Sequence, residues 1–242
     1  MGDLNRTQLA LEWTKRDVMF GVVTLIATRA LAQGHTEASG LSPQAALRLL
    51  RTGNARYAAG KSEHPDLSVA RRRDLAGGQK PFATIVACAD SRVGPELIFD
   101  QGLGDLFVIR VAGNVVDDLV VGSIEYSVIH LGVPLVMVLG HEHCGAVAAT
   151  VDAAAGKTNP EDRDTQIGAL AGLIMPAVKA VPASAPDKVE AAVLLNARHA
   201  ASELFSKSRT IRERARTGRV QVVSARYGLD DGKVSDINTA QP

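Results

Sequence analysis

Four short apolar runs constrain this chain more than anything else in it: Phe82–Ala87, Leu106–Ile109, Leu135–Leu139 and Val220–Ser224. Each is nearly continuous in hydrophobic residues and does not alternate them with polar ones. A strand with one wet face alternates, whereas a strand covered on both faces has no polar side to show. The four runs therefore read as buried strands. Helical stretches lie between them: Ser42-Pro43 opens a helix that runs to about Ala59 and stops at Gly60. Leu119–Leu131 reads as a second helix, stopped by Gly132-Val133-Pro134. Leu194–Thr217 reads as one long helix closed by Gly218, and the Pro- and Ala-rich stretch Ala177–Asp187 as a loop. Strand and helix in alternation give a parallel sheet with right-handed crossovers. The expected fold is α/β, with a mostly parallel central sheet of four strands flanked by helices. Asp230-Asp231-Gly232 between two extended runs predicts a hairpin that adds one antiparallel edge strand.

A length of 242 residues fits one such domain plus an extension. Aromatic residues make up only 4% of the chain against 46% hydrophobic in all, so the core must be built from Ala, Val, Leu and Ile. The 27 basic residues are offset by 26 acidic ones, which excludes the one-sided basic surplus of a nucleic-acid binder. Arg71-Arg72-Arg73 and Arg209 to Arg219 read as solvated helix faces. The extension is residues 1–32, ahead of a domain at 33–242. Lys15-Arg16, the apolar run Val18–Thr28 and Ala30-Leu31-Ala32 before Gln33 follow the order of a secretory signal. That run is too short to span a bilayer, so no membrane span is expected. Export would make the protein periplasmic or secreted. The alternative is a cytoplasmic protein whose first residues form a helical arm on a partner subunit.

Chemistry concentrates at two strand ends. After the first strand comes Cys88-Ala89-Asp90-Ser91-Arg92, and in extended chain Cys88, Asp90 and Arg92 share one face. After the third comes His141-Glu142-His143-Cys144-Gly145, where His141 and Cys144 become neighbours once the chain turns helical. Carboxyl ends of parallel strands are where open α/β sheets bind ligands. Two thiolates, an imidazole and a carboxylate form a tetrahedral set suited to zinc. Other readings stay open on the residues alone. Cys88 and Cys144 are the only cysteines and can pair as a disulfide, Cys144 can serve as a nucleophile beside a histidine base, and His143 competes with His141 as ligand. Glu142 and His143 otherwise belong at a pocket rim or in solvent.

These two motifs resemble the signature of the β-class carbonic anhydrases, Cys-x-Asp-x-Arg followed by His-x-x-Cys. The likeness runs from about Ser42 to the C-terminus and takes in Gln79, GDLFVIRVAGN at 104–114 and GSIEY at 122–126. The resemblance implies an α/β sheet with an N-terminal helical arm embracing a second subunit, hence a homodimer or a homo-oligomer built from dimers. It implies Zn2+ on Cys88, His141 and Cys144, the fourth position shared in turn by Asp90 and a water, with Arg92 drawing Asp90 away. The implied reaction is reversible hydration of carbon dioxide to bicarbonate and a proton by a zinc-bound hydroxide. Gln79 is implied as donor to the substrate. Phe107 and Tyr126 are implied as pocket lining, partly across the dimer interface; Gly145, just past Cys144, sits where a helix N-terminus would begin, with its amide placed to stabilise negative charge on the sulfur. Some members carry an inhibitory bicarbonate pocket that uses a tryptophan three residues before the first cysteine. Here that position is Ile85, and although Arg110 is present the set is incomplete, which implies an enzyme without that switch. The same fold and ligands also serve hydrolases of carbonyl sulfide and carbon disulfide. A purely structural zinc site would have no use for Asp90, Arg92 and Gln79.

Overall fold

The structure, a computed structural model, describes residues 39–162 and 165–242. The export and arm readings of residues 1–32 fall outside the described residues. Five strands, β1 (Ala83–Ala87), β2 (Leu106–Arg110), β3 (Leu135–His141), β4 (Gln221–Tyr227) and β5 (Val234–Thr239), form one sheet in the order β2-β1-β3-β4-β5. The first four are parallel and β5 pairs antiparallel with β4, as the sequence predicts.

Residues at alternate positions of the strands enter opposite cores, which is why the runs carry no polar face. Ala83, Ile85 and Ala87 of β1 join Leu135, Met137 and Leu139 of β3 beneath α1 (Pro43–Ala58), with Ala46, Leu50 and Phe99. Val86, Val136, Val138 and Val222 point the other way, onto α4 (Asp118–His130), α7 (Lys188–Lys207) and α8 (Arg209–Arg216). Each fully buried Val, Leu or Ile contributes about 1.5–3 kcal/mol on transfer from water. Between these lie two short helices, α2 (Val69–Asp74) and α3 (Pro95–Ile98), and two longer ones, α5 (Gly145–Ala154) and α6 (Ile167–Lys179). Among the described residues no helix is long and apolar enough to cross a membrane.

Several boundaries differ from the sequence reading, for local reasons. The stretch read as one helix over Leu194–Thr217 is two helices, and the first begins earlier, at Lys188, where the Asp187 carboxylate accepts from the Glu190 amide at 2.9 Å. Ser208 breaks it: its backbone N–H closes α7 on the Leu204 carbonyl, while its hydroxyl accepts from the Ile211 amide at 3.1 Å and so opens α8. The same hydroxyl donates to Glu125 at 2.5 Å. The loop read at Ala177–Asp187 begins later, because α6 continues through Pro176 to Lys179, with Ile174 and Ala177 buried. The basic stretches are not merely solvated faces. Arg71 pairs with Asp105, and Arg212 and Arg214 donate to the carbonyls of Phe205 and Val128, tying α8 to α7 and α4. β3 reaches two residues farther than predicted, so its last residue is His141 itself.

Candidate metal centre

Parallel pairing sets β1 and β3 side by side with Ala87 level with Leu139, so the segments leaving both strands emerge together at the carboxyl edge. Cys88 follows β1 directly, His141 ends β3, and Cys144 is the N-cap of α5. Their ligand atoms all lie within 4.8 Å of one another, and all three residues are buried. Val115, Val147, Ile174, Ala192 and Val193 pack with the two cysteines and close that side to water. β3 can end here because Gly140 lets α7 approach: a Cβ at this position would meet Ala197 at 3.3 Å and Val193 at 3.4 Å. Both cysteines are free thiols, so the disulfide reading is not realised.

Hydrogen bonds decide which atom of each ligand faces inward. His141 Nδ1 lies 2.8 Å from the Glu142 carbonyl oxygen, which can only accept, so Nδ1 carries the proton and Nε2 the lone pair. Nε2 is buried without a hydrogen-bond partner among the described residues. A buried lone pair aimed at two thiols is an expensive arrangement unless something electron-deficient completes it. The thiols point to the same occupant. A hydrogen bond from Cys144, together with the Gly113 amide, pulls the Cys88 pKa down against burial. The hydrogen bond to Cys88, burial and the negative charge beside it push that of Cys144 up, with the amides of Val147 and Ala146 opposing. Two sulfurs thus compete for one proton in a dry pocket, and a divalent cation satisfies both. Cys88, His141 and Cys144 fit Zn2+ in kind and number.

Asp90 stands at the rim, its Oδ2 3.9 Å from His141 Nε2. Arg92 grips it with both arms, Nε to Oδ1 at 3.0 Å and Nη2 to Oδ2 at 2.8 Å, and the Arg92 amide adds a third bond to Oδ1 at 2.9 Å. The guanidinium holds the Asp90 carboxyl well below the usual carboxylate range. Arg110, at the end of β2, fastens the same segment from beneath, donating to the Cys88 carbonyl at 3.0 Å and the Asp90 carbonyl at 2.5 Å.

A carbonic anhydrase family model matches residues 83–234, a span holding every residue just described. Carbonic anhydrase 2 of Mycobacterium tuberculosis (strain CDC 1551 / Oshkosh) is 43% identical over 192 residues, 79% of this chain and 91% of that protein. The chain belongs to the carbonic anhydrase family, in its β class. The carbonic anhydrase of Mycolicibacterium smegmatis is 38% identical over 195 residues, 80% of this chain and 92% of that one. Among solved structures, a Coccomyxa β-carbonic anhydrase in complex with acetazolamide superposes with a TM-score of 0.59 at 26% identity, covering 84% of this chain and 90% of its own. A β-carbonic anhydrase of Aspergillus fumigatus gives 0.57 at 29%, covering 79% and 90%. The protein is thus a carbonic anhydrase enzyme, and β-carbonic anhydrases are zinc enzymes.

The fold brings together five residues singled out from sequence: Cys88, Asp90, Arg92, His141 and Cys144. The others sit elsewhere. Phe107 stands level with Thr84 on β1, four residues before Cys88, so within its own chain it lies roughly 13 Å back along the strand. It packs instead on Tyr126, ring centroids 6.3 Å apart, and Gln79 is exposed on the approach to β1. Gly145 opens α5, but the amides bearing on the Cys144 sulfur are those of Ala146 and Val147, one and two residues on. Glu142 is not a solvated rim residue: its carboxylate takes Arg226 at 3.0 Å and the Leu229 amide at 2.9 Å. His143 is exposed, with a left-handed φ of 52°, and does not join the ligand cluster. Sequence reasoning missed the Gly113 amide, 3.2 Å from Cys88 Sγ, and the carbonyl clamp of Arg110. The only signal for the first was a glycine inside the 104–114 stretch.

Proposed function

We propose that this carbonic anhydrase hydrates carbon dioxide reversibly to bicarbonate and a proton at the Cys88–His141–Cys144 centre, with Asp90 and Arg92 governing access to it. The observation that carries this reading is the pairing of a buried three-donor cluster with a carboxylate tied back at its rim. Cys88 Sγ, Cys144 Sγ and His141 Nε2 would hold Zn2+, which would supply a Lewis acid that makes water a nucleophile near neutral pH. The chain's own residues do the rest. The Gly113, Ala146 and Val147 amides offset negative charge on the two sulfurs, and the Glu142 carbonyl holds the imidazole in one tautomer. Arg92 keeps Asp90 turned aside, where its carboxylate accepts a hydrogen bond from the attacking water and aims a lone pair at carbon. Because Arg92 holds its pKa low, Asp90 stays ionised, and so available as an acceptor, across the working range.

Ile85 supports the simpler, unswitched type. It is fully buried in the core, and both Arg110 nitrogens that donate are committed to backbone carbonyls, so no second anion pocket is built from these two positions. We read the active unit as a homodimer. β2 has no strand on its outer edge among the described residues, and Leu119, Tyr126 and Ile129 of α4 are 81%, 42% and 42% exposed. An open edge beside exposed apolar side chains favours pairing with a second copy. Phe107, too far back to serve its own centre, and Tyr126 packed on it would then act across that boundary. Residues 1–32 we read as an export signal cut before Gln33, which the intact mass of protein from its native compartment tests. Function is tested by stopped-flow carbon dioxide hydration with zinc quantified in the same sample, before and after chelation, and with carbonyl sulfide and carbon disulfide run alongside. Faster turnover of either sulfur substrate than of carbon dioxide would refute the assignment.

A further inference from the structure

Asn196 lies on the face of α7 that packs against the metal centre, 2% exposed and next in sequence to the buried Ala197. Asparagine is a poor helix former and costly to bury. Its amide finds one distant use: Nδ2 donates to the Gly113 carbonyl at 2.8 Å. Gly113 is the residue whose own N–H points at Cys88 Sγ at 3.2 Å. It sits at φ 71°, ψ 17° in the single turn Ala112–Asn114, and a Cβ there would meet Ile174 Cδ1 at 2.7 Å. The position therefore requires glycine, and glycine brings no preference for one orientation of the peptides on either side of it. Something outside the turn must fix them. The Asn114 amide bond to the Val111 carbonyl at 2.9 Å closes the turn, and Asn196 fastens the Gly113 carbonyl from the opposite side.

We propose that Asn196 is a positioning residue for the metal centre, locking the Gly113 peptides so that the Gly113 N–H stays on the Cys88 sulfur. Outer hydrogen bonds of this sort orient metal ligands, and their loss typically weakens metal binding by about 10- to 100-fold. The inference rests on Cys88 being a ligand, and its test separates the two. Asn196→Leu keeps the volume and removes the donor, and Asn196→Asp keeps the shape and replaces the donor with an acceptor. Zinc affinity of the purified holoprotein, measured by chelator competition, weakens about 10-fold or more in both variants. In the cobalt-substituted proteins the sulfur-to-metal charge-transfer band moves to lower energy, because a thiolate stripped of a hydrogen bond is a better electron donor. Ser127→Ala is the control: it removes another buried hydrogen bond, Thr84 to Ser127 at 2.7 Å, away from the centre, and leaves affinity and band unchanged. Affinity within twofold of the parent in both Asn196 variants overturns the proposal, as does an equal loss in the control. Failure of both variants to fold assigns Asn196 to folding and overturns it too. A parent protein without zinc defeats the ligand reading instead.

Discussion

Arg92→Ala tests the carboxylate gate directly, and the geometry sets the size of the effect. Three hydrogen bonds reach the Asp90 carboxylate, two from the guanidinium and one from the Arg92 backbone amide. The substitution removes the first two and spares the third, which engages Oδ1. Oδ2 loses its guanidinium partner, and it is the oxygen 3.9 Å from His141 Nε2. The carboxylate then turns about its remaining anchor into the space where the three donors converge, occupying the position water needs. The arginine side chain is 52% exposed, so solvent screens the pair and the effect of losing it lies in the orientation of Asp90 and not in stability. Losing both removes the outer partner that orients the carboxylate, a loss that typically costs about 10- to 100-fold in activity. Stopped-flow hydration should show kcat reduced by about that factor, with KM little changed and one zinc per chain retained. The defect should be greatest between about pH 6 and 7 and shrink at higher pH, where hydroxide competes with the carboxylate better than water does. Without its guanidinium, Asp90 returns only toward the ordinary carboxylate value near 4, still ionised throughout that range. A variant with parental kcat at equal zinc content would remove Arg92 from the mechanism, and one that loses zinc would make it a structural support.

Cys88→Ser and Cys144→Ser should each lose zinc together with activity, and should unfold at lower temperature, since metal binding energy is also folding energy; elemental analysis finding full zinc in either breaks the ligand assignment. Activity of the parent should fall with pH along a single ionisation somewhat above 7, the active form being the one deprotonated at higher pH, and bicarbonate should not steepen the curve. A steep, cooperative, bicarbonate-dependent collapse would contradict the reading of Ile85. Leu119→Arg should shift the oligomer toward monomer in light scattering and lower activity with it, whereas an unchanged dimer would place the interface elsewhere. Ser208→Ala should cost about 1–2 kcal/mol, lowering the unfolding midpoint by roughly 2–8 °C, with zinc content intact.

Much of this was legible in the sequence because burial on both faces leaves an unambiguous trace. Val86 and Ile85 face different cores, so neither position tolerates a polar residue, and the strand shows as a run interrupted only by Thr84, whose hydroxyl is paired with Ser127. The ligands were legible because each half of the cluster is local, Cys88 with Asp90 and His141 with Cys144. Ser208 was not, since a serine amid basic and acidic residues looks the same in a continuous helix as at a double cap. α6 was partly hidden by Pro176, its register being fixed by Ile174 and Ala177 in the core. The supports of the centre left least trace. Gly113 and Arg110 act through backbone amides and carbonyls, and Asn196 is joined to Gly113 only by the folded chain.

The side-by-side placement of β1 and β3 has a consequence for how the protein is made. On an emerging chain only His141 and Cys144 are neighbours, and two donors hold a cation weakly against competing thiols in a cell. Cys88 joins them only after β2 and α4, which separate the two strands in sequence, have been laid down and β3 has docked along β1. Such parallel, non-local pairing is among the slower events in folding. Capture of zinc is therefore expected late in folding, and its rate would report when the centre of the sheet has closed.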